Sequence, residues 1–374
     1  MNETTFKHTK SKKLGSDIVI GDDVVIEAEE VIIGKGVQIG SDTDEEAFRI
    51  PGGVRIKVRK LNIGDNTRIS RGVLLKGGNI TISQNVTIRE HSTIDVREKL
   101  FLGESSYINP YCRISGRDIE IGGNFRMLTW SSIGGGSCFE IHSKLRVGNN
   151  CHLGEFSFIN TADEVFIGEE VGIGMRSAIF THGAYQSFIQ GYPVTFGPVR
   201  IEDNCWLPQA VVLPNVTIGR GSVVATGSLV NRDLPEYCLA GGVPAKVLQE
   251  RAFNKPPNDE TKVQLMNDFL VRLDDILSTR FRKDEKTLVC DGFSYTSGHC
   301  MVFIPELQKN LLTDTHTKSK AVVIAFSADR TSKEIFKSGN GCLFVLDDKE
   351  IIGEMDDFST KIVDQFRRYG VRFK

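Results

Sequence analysis

Aliphatic residues recur every six positions through most of the first 230 residues of this chain. Leu14, Ile20 and Ile26 form one triplet, and Ile63, Ile69 and Leu75 another. Ile82, Ile88 and Ile94 follow, then Leu102, Ile108 and Ile114, then Ile121, Met127 and Ile133. Val147, Leu153 and Ile159 continue the series, as do Ile167, Ile173 and Ile179. A strand repeats every two residues and a helix every 3.6, so neither alone produces this spacing. A triangular solenoid does: each six-residue unit is one flat side, and its aliphatic residue fills the prism interior.

The pattern predicts an all-β parallel β-helix over 14–250, of about ten coils rising roughly 50 Å at the strand spacing. The step between triplets is longer than six (Leu75 to Ile82, Ile94 to Leu102, Ile159 to Ile167), so one edge of the triangle carries extra residues. Three interruptions, near 41–60, 134–146 and 183–200, should loop out, and in repeat proteins such insertions gather where binding happens. Residues 1–13 read as a polar tail. Residues 251–258, with Pro256 and Pro257, read as a linker.

The period then stops. A helical stripe (Val263, Met266, Phe269, Leu270, Leu273, Ile276, Leu277) is followed by strand-like runs at 287–290, 300–304, 321–327 and 342–346. A closing helix carries Phe358, Ile362, Phe366 and Tyr369. Residues 259–374 are therefore expected to form a small α/β or α+β domain. No chemical motif stands in it, and docking or oligomer stabilisation is its expected role.

Composition narrows the setting. A formal charge of −2 over 374 residues gives no field to attract nucleic acid. No apolar run approaches the roughly 20 residues of a membrane span, and no signal peptide is seen. The eight cysteines contain no C-x-x-C pair, so neither a metal site nor a disulfide framework is expected. These features point to a reduced, cytoplasmic setting.

One stretch carries chemistry. It runs Phe180-Thr181-His182-Gly183, a loop, Ile201-Glu202-Asp203-Asn204-Cys205-Trp206-Leu207, then Leu213-Pro214-Asn215-Val216-Thr217-Ile218-Gly219. Ala225-Thr226-Gly227-Ser228-Leu229-Val230-Asn231-Arg232-Asp233-Leu234-Pro235 and Ala240-Gly241-Gly242-Val243-Pro244-Ala245-Lys246-Val247 complete it. This closely resembles the hexapeptide-repeat acyltransferases, in particular the galactoside, maltose and colanic acid O-acetyltransferase branch. The resemblance is specific over 147–248 and rests on the repeat alone over 14–146.

The resemblance implies a left-handed parallel β-helix, a homotrimer, and acetyl-CoA bound between subunits, with no metal. It implies His182 as general base and a backbone N–H just after Trp206 as oxyanion donor. Pro208 has no N–H, so Gln209 is the candidate. Trp206, Ala225, Thr226, Gly227, Asn231, Arg232 and Lys246 fall where the family contacts CoA. The family's orienting asparagine matches Gly154 here, which makes Glu155 the expected substitute; an exposed solenoid side chain is its alternative. Asn160, Asp163 and Tyr185 are candidates to contact the acceptor.

The expected function is transfer of acetyl to a carbohydrate hydroxyl, with a bacterial surface polysaccharide or its precursor as acceptor. The alternatives are N-acetylation of an amino-sugar nucleotide and a non-catalytic scaffold. A γ-type carbonic anhydrase would need three histidines at a spacing that His142, His152 and His182 lack.

Overall fold

A computed structural model describes residues 6–40, 52–253, 257–281, 293–294, 300–304, 306–307, 321–338, 341–368 and 371. The chain divides into two units, Met1–Lys255 and Pro256–Lys374.

The first unit is a parallel β-solenoid with three faces. Near the site the first face stacks Lys144–Val147, Val165–Ile167, Val199–Ile201 and Val216–Ile218 in register. The second stacks His152–Leu153, Gly172–Ile173, Trp206–Leu207 and Val223–Val224. The third stacks Phe158–Asn160, Ala178–Ile179, Ala210–Val212 and Ser228–Val230. The second face is the plainest, a 12-stranded sheet whose strands are parallel up to a closing antiparallel pair, Leu239–Gly242 with Ala245–Gln249. The triplet residues stack inside; Ile63, Ile88, Ile114, Met127 and Ile179 are fully buried. Each such side chain removed from water contributes roughly 1.5–3 kcal/mol, so the repeat is itself the core.

Two edges turn tightly, and their chemistry explains the polar positions between triplets. At the first edge a left-handed residue recurs once per coil: Asn66, Asn85, Ser105, Asn124, Asn150, Glu170 and Asn204 all have positive φ. At the second edge His91, Tyr111, Trp130, Phe156 and Arg176 do the same. Left-handed backbone costs an ordinary residue roughly 1–2 kcal/mol, and asparagine is among the residues that visit it routinely. The aromatics at the second edge stack instead, His91 on Tyr111 at 5.3 Å and Tyr111 on Trp130 at 4.6 Å between ring centres. A small hydroxyl or thiol follows most of these corners, with Val86, Phe125 and Val171 the exceptions, and several hydrogen-bond a carbonyl of the next coil. Ser92 Oγ donates to Asn109 O, Ser157 Oγ to Gly174 O and Cys205 Sγ to Gly219 O. Cys112, Cys151, Cys205 and Cys238 thus occupy serine-like positions, and all four are buried.

The third edge is the irregular one, as the uneven triplet spacing predicts. Lower in the stack, single strands such as Arg55–Ile63 and Thr93–Leu102 run around it, with a register shift between Val96 and Lys99. Higher up it opens into the insertion after Gly134 and the loop after His182.

Two boundaries differ from expectation. The first residues are not a free tail: Phe6–Lys7 pairs with Val25–Glu27, and Ser11–Leu14 with Glu30–Ile33. Pairing there uses backbone groups while Ser11, Lys12 and Lys13 stay exposed, so only Leu14 at the strand's end shows in the apolar pattern. The first interruption also ends earlier than residue 60. Val54, Ile56 and Val58 are buried at strand period, because the side here is one long strand rather than a six-residue unit. Residues 41–51 lie outside the described residues.

The second unit holds a five-stranded sheet. Cys300–Phe303, Ala321–Ala325 and Cys342–Val345 are parallel, with Phe293–Ser294 and Glu350–Gly353 antiparallel at the edges. Helices Asp259–Ser278 and Asp357–Arg368 bury Phe269, Leu273, Phe358, Ile362 and Phe366 against it. Helix Arg330–Ser338 packs with Phe336 on the other core cluster. The run at 287–290 and Tyr369 lie outside the described residues. No described helix is long and apolar enough to cross a membrane.

Candidate active site

His182 sits where the third face gives way to the longest described excursion. Ile179 is the last residue of its stacked strand. The chain then leaves the prism as a short antiparallel pairing, His182 with Phe196 and Gly183 with Thr195. The Phe196 ring lies beside the imidazole, 5.5 Å between centres and inclined by 23°. Phe188–Gln190 forms a 3-10 turn at the loop's far end, and Tyr185 is 96% exposed.

The imidazole is held from below by Asn160, a fully buried residue one coil earlier. His182 Nδ1 lies 2.8 Å from Asn160 Oδ1. The amide's orientation is fixed by its other contacts: Nδ2 donates to the carbonyls of Gly134 and Gly136 at 3.1 and 3.2 Å. Its Oδ1 also accepts from Thr181 Oγ1 at 2.7 Å and from Ala162 N at 3.3 Å. An amide oxygen only accepts, so Nδ1 carries the ring proton and Nε2 is left with its lone pair. That is the tautomer a general base requires.

This geometry corrects two expectations. Asn160, read as an acceptor contact, is wholly buried and serves the imidazole. Glu155, read as the orienting partner, belongs to the second edge, where its carbonyl accepts from Arg176 N. Gly154 sits beneath Met175 at that same edge, a different corner from His182. Counting one residue past the Ile159–Ile179 register reaches Asn160, a signal present in the sequence. Asp163 lies at the third edge beside the site: its N–H donates to Thr181 Oγ1, and its carboxylate accepts from Glu164 N.

The other candidates divide between two edges. Gln209, Thr226 and Gly227 form the second edge, with Gly227 N donating to Gln209 O at 2.8 Å. The corner at Pro208-Gln209 is shortened, since the stack passes from Leu207 to Ala210 with two residues between strands. Ala210 N is taken up by Ser177 Oγ, while no described hydrogen bond takes the Gln209 N–H. Thr226 and Gly227 are exposed, and nothing lies within 4 Å of the place a Gly227 side chain would occupy. Ala225 is partly buried at the foot of this corner. Trp206 is 55% exposed on the second face, its ring against Gly172. Asn231 and Arg232 lie at the third edge, two coils above His182, and Lys246 on the closing strand. Both cations are exposed, and neither forms an ion pair among the described residues.

These two edges belong to different corners of one triangle. A single chain therefore does not gather His182, Gln209 and Gly227 around one point.

No family model matches the chain. A protein of Schizosaccharomyces pombe named as an acetyltransferase, C18B11.09c, is 34% identical over 116 residues, which is 30% of this chain and 54% of that protein. The Escherichia coli K12 protein that carries the name of a colanic acid biosynthesis acetyltransferase, WcaF, is 35% identical over 109 residues, 29% of this chain and 59% of its own. The chain thus spans little more than half the length of the curated relatives it matches. Among solved structures, the hexapeptide-repeat acetyltransferase VCA0836 of Vibrio cholerae, complexed with acetyl coenzyme A, is 26% identical over 40% of this chain and 69% of its own, at a TM-score of 0.26. The six-residue repeat, the three-faced solenoid and these sequence relatives agree in making the chain similar to the hexapeptide-repeat acetyltransferases.

Proposed function

We propose that the protein is an acetyl-CoA-dependent O-acetyltransferase acting on a carbohydrate hydroxyl, with His182 as general base. The observation that carries this reading is the His182–Asn160 hydrogen bond, which makes Nε2 the lone-pair nitrogen of the neutral ring. An alcohol is a poor nucleophile at neutral pH until a base takes its proton during attack, and imidazole suits that role. The proton moves from the hydroxyl to Nε2 as the oxygen attacks the thioester carbonyl. The same proton can then serve the departing CoA thiolate.

Negative charge developing on the carbonyl oxygen needs an oriented donor, and the Gln209 N–H is the candidate. The exposed, narrow corner at Thr226-Gly227 suits passage of the pantetheine arm. Arg232 and Lys246 would supply charge for the nucleotide phosphates. Because these groups lie on two edges, the reading requires a homotrimer, in which the second edge of one subunit faces the third edge of its neighbour. The colanic-type likeness supports a surface polysaccharide or its precursor as acceptor.

The test is release of CoA from acetyl-CoA with a panel of methyl glycosides and amino sugars. His182→Ala should lose at least two orders of magnitude in kcat with CoA affinity nearly kept. A loss of less than about tenfold would assign the base elsewhere. Turnover of amino sugars alone would redirect the reading to N-acetylation.

A further inference from the structure

The insertion at the third edge two coils below His182 begins with three glycines, and they are not there for the same reason. Gly134 and Gly135 have φ of +125° and +97°, a backbone that other residues rarely adopt. A side chain on Gly134 would also strike Ser115, and one on Gly135 would strike the Phe158 ring. Both are demanded by the fold. Gly136 has no positive φ. A methyl group placed on it would meet only His182 Nε2 at 3.5 Å and Cε1 at 3.6 Å, an ordinary van der Waals distance. Neither backbone nor packing requires glycine at this position. What its bareness does is leave the basic nitrogen uncovered.

The segment is also held in place. Asn160 Nδ2 grips the carbonyls of Gly134 and Gly136. Arg97 donates to Phe139 O at 3.0 Å and lies over the Phe139 ring, and Ser143 Oγ donates to Thr161 Oγ1. One buried amide therefore sets both the tautomer of the base and the distance of this wall from it.

We infer that Gly136 is a specificity-determining residue, and that the segment 135–142 is the wall of the acceptor site. The missing side chain leaves room beside Nε2 for the ring carbons that carry the reacting hydroxyl. The inference rests on His182 being the base. Side chains of increasing size here should close the acceptor's approach to Nε2, while the groups of the same subunit proposed to hold CoA lie on its second edge and higher in the stack.

The first readout needs no acceptor. Diethylpyrocarbonate acylates accessible imidazole nitrogens, and mass spectrometry of the peptides reports each histidine separately. In the wild-type chain His182 should be modified readily. Gly136→Ala should slow it a few-fold and Gly136→Val at least tenfold, with modification of His142 and His152 and the melting temperature unchanged. Unchanged modification of His182 in the valine variant would overturn the proposal, and so would slowing shared by all three histidines.

The second readout is turnover of acetyl-CoA with the methyl glycosides of the panel. Gly136→Val should raise the glycoside KM at least tenfold and leave the acetyl-CoA KM within twofold. If His182→Ala keeps its activity, the base assignment fails whatever Gly136 does. If His182→Ala is inactive and Gly136→Val keeps the wild-type glycoside KM, the wall alone is refuted.

Discussion

At the scale of single residues, the site turns on which atom of His182 holds the proton. Asn160 Oδ1 decides it, and Asn160 is in turn oriented by two carbonyls it donates to. Replacing Asn160 by alanine frees the ring to adopt the other tautomer and leaves two carbonyls without their partner. A fall in kcat of about 10- to 1,000-fold is expected. The lost partners should also reduce stability by about 1–3 kcal/mol. Steady-state kinetics and chemical denaturation check the two parts separately; wild-type kcat would mean the amide does not set the tautomer. The excursion that follows His182 was legible in the sequence. Asn160 was visible as a residue but not in its role, because a repeat gives several nearly equivalent matches one coil back. Only the stacked register tells them apart.

At the scale of elements, the six-residue spacing carried most of the fold, because each buried aliphatic must point inward once per side. What it hid were sides that follow strand period, such as Arg55–Ile63, and pairing by polar strands such as Ser11–Leu14. The inward residues should be individually expensive to remove. Ile159→Ala, beneath the register that carries His182, is expected to cost about 2–5 kcal/mol, read as a shifted denaturation midpoint. The buried cysteines yield a prediction of a different kind. Burial disfavours the thiolate, which pushes the Cys205 thiol up to about 11 and that of Cys342 to about 12. Only the thiolate reacts with alkylating agents, so both stay neutral and inert at pH 8 and become reactive only well above it. Iodoacetamide mapping by mass spectrometry should find both unmodified in the native protein and modified after denaturation. Rapid native labelling at pH 8 would contradict their placement.

At the scale of the whole molecule, the candidate residues are separated over two edges. His182 belongs to the third edge and Gln209 with Gly227 to the second, so the proposed function requires a neighbouring subunit to complete the site. Sequence motifs named the groups on both edges, but a linear string does not say which corner each occupies; strand pairing does. The most direct test is complementation between two inactive variants. His182→Ala removes the base, and Gln209→Pro removes the N–H proposed to face the thioester without breaking a described hydrogen bond. Each alone should be inactive as a trimer. Unfolded and refolded together in equal amounts, they should recover about a quarter of wild-type activity, since every mixed cyclic trimer regains one interface with both groups intact. Activity that stays at the level of the separate variants, with mixed trimers present, would contradict a site shared between subunits.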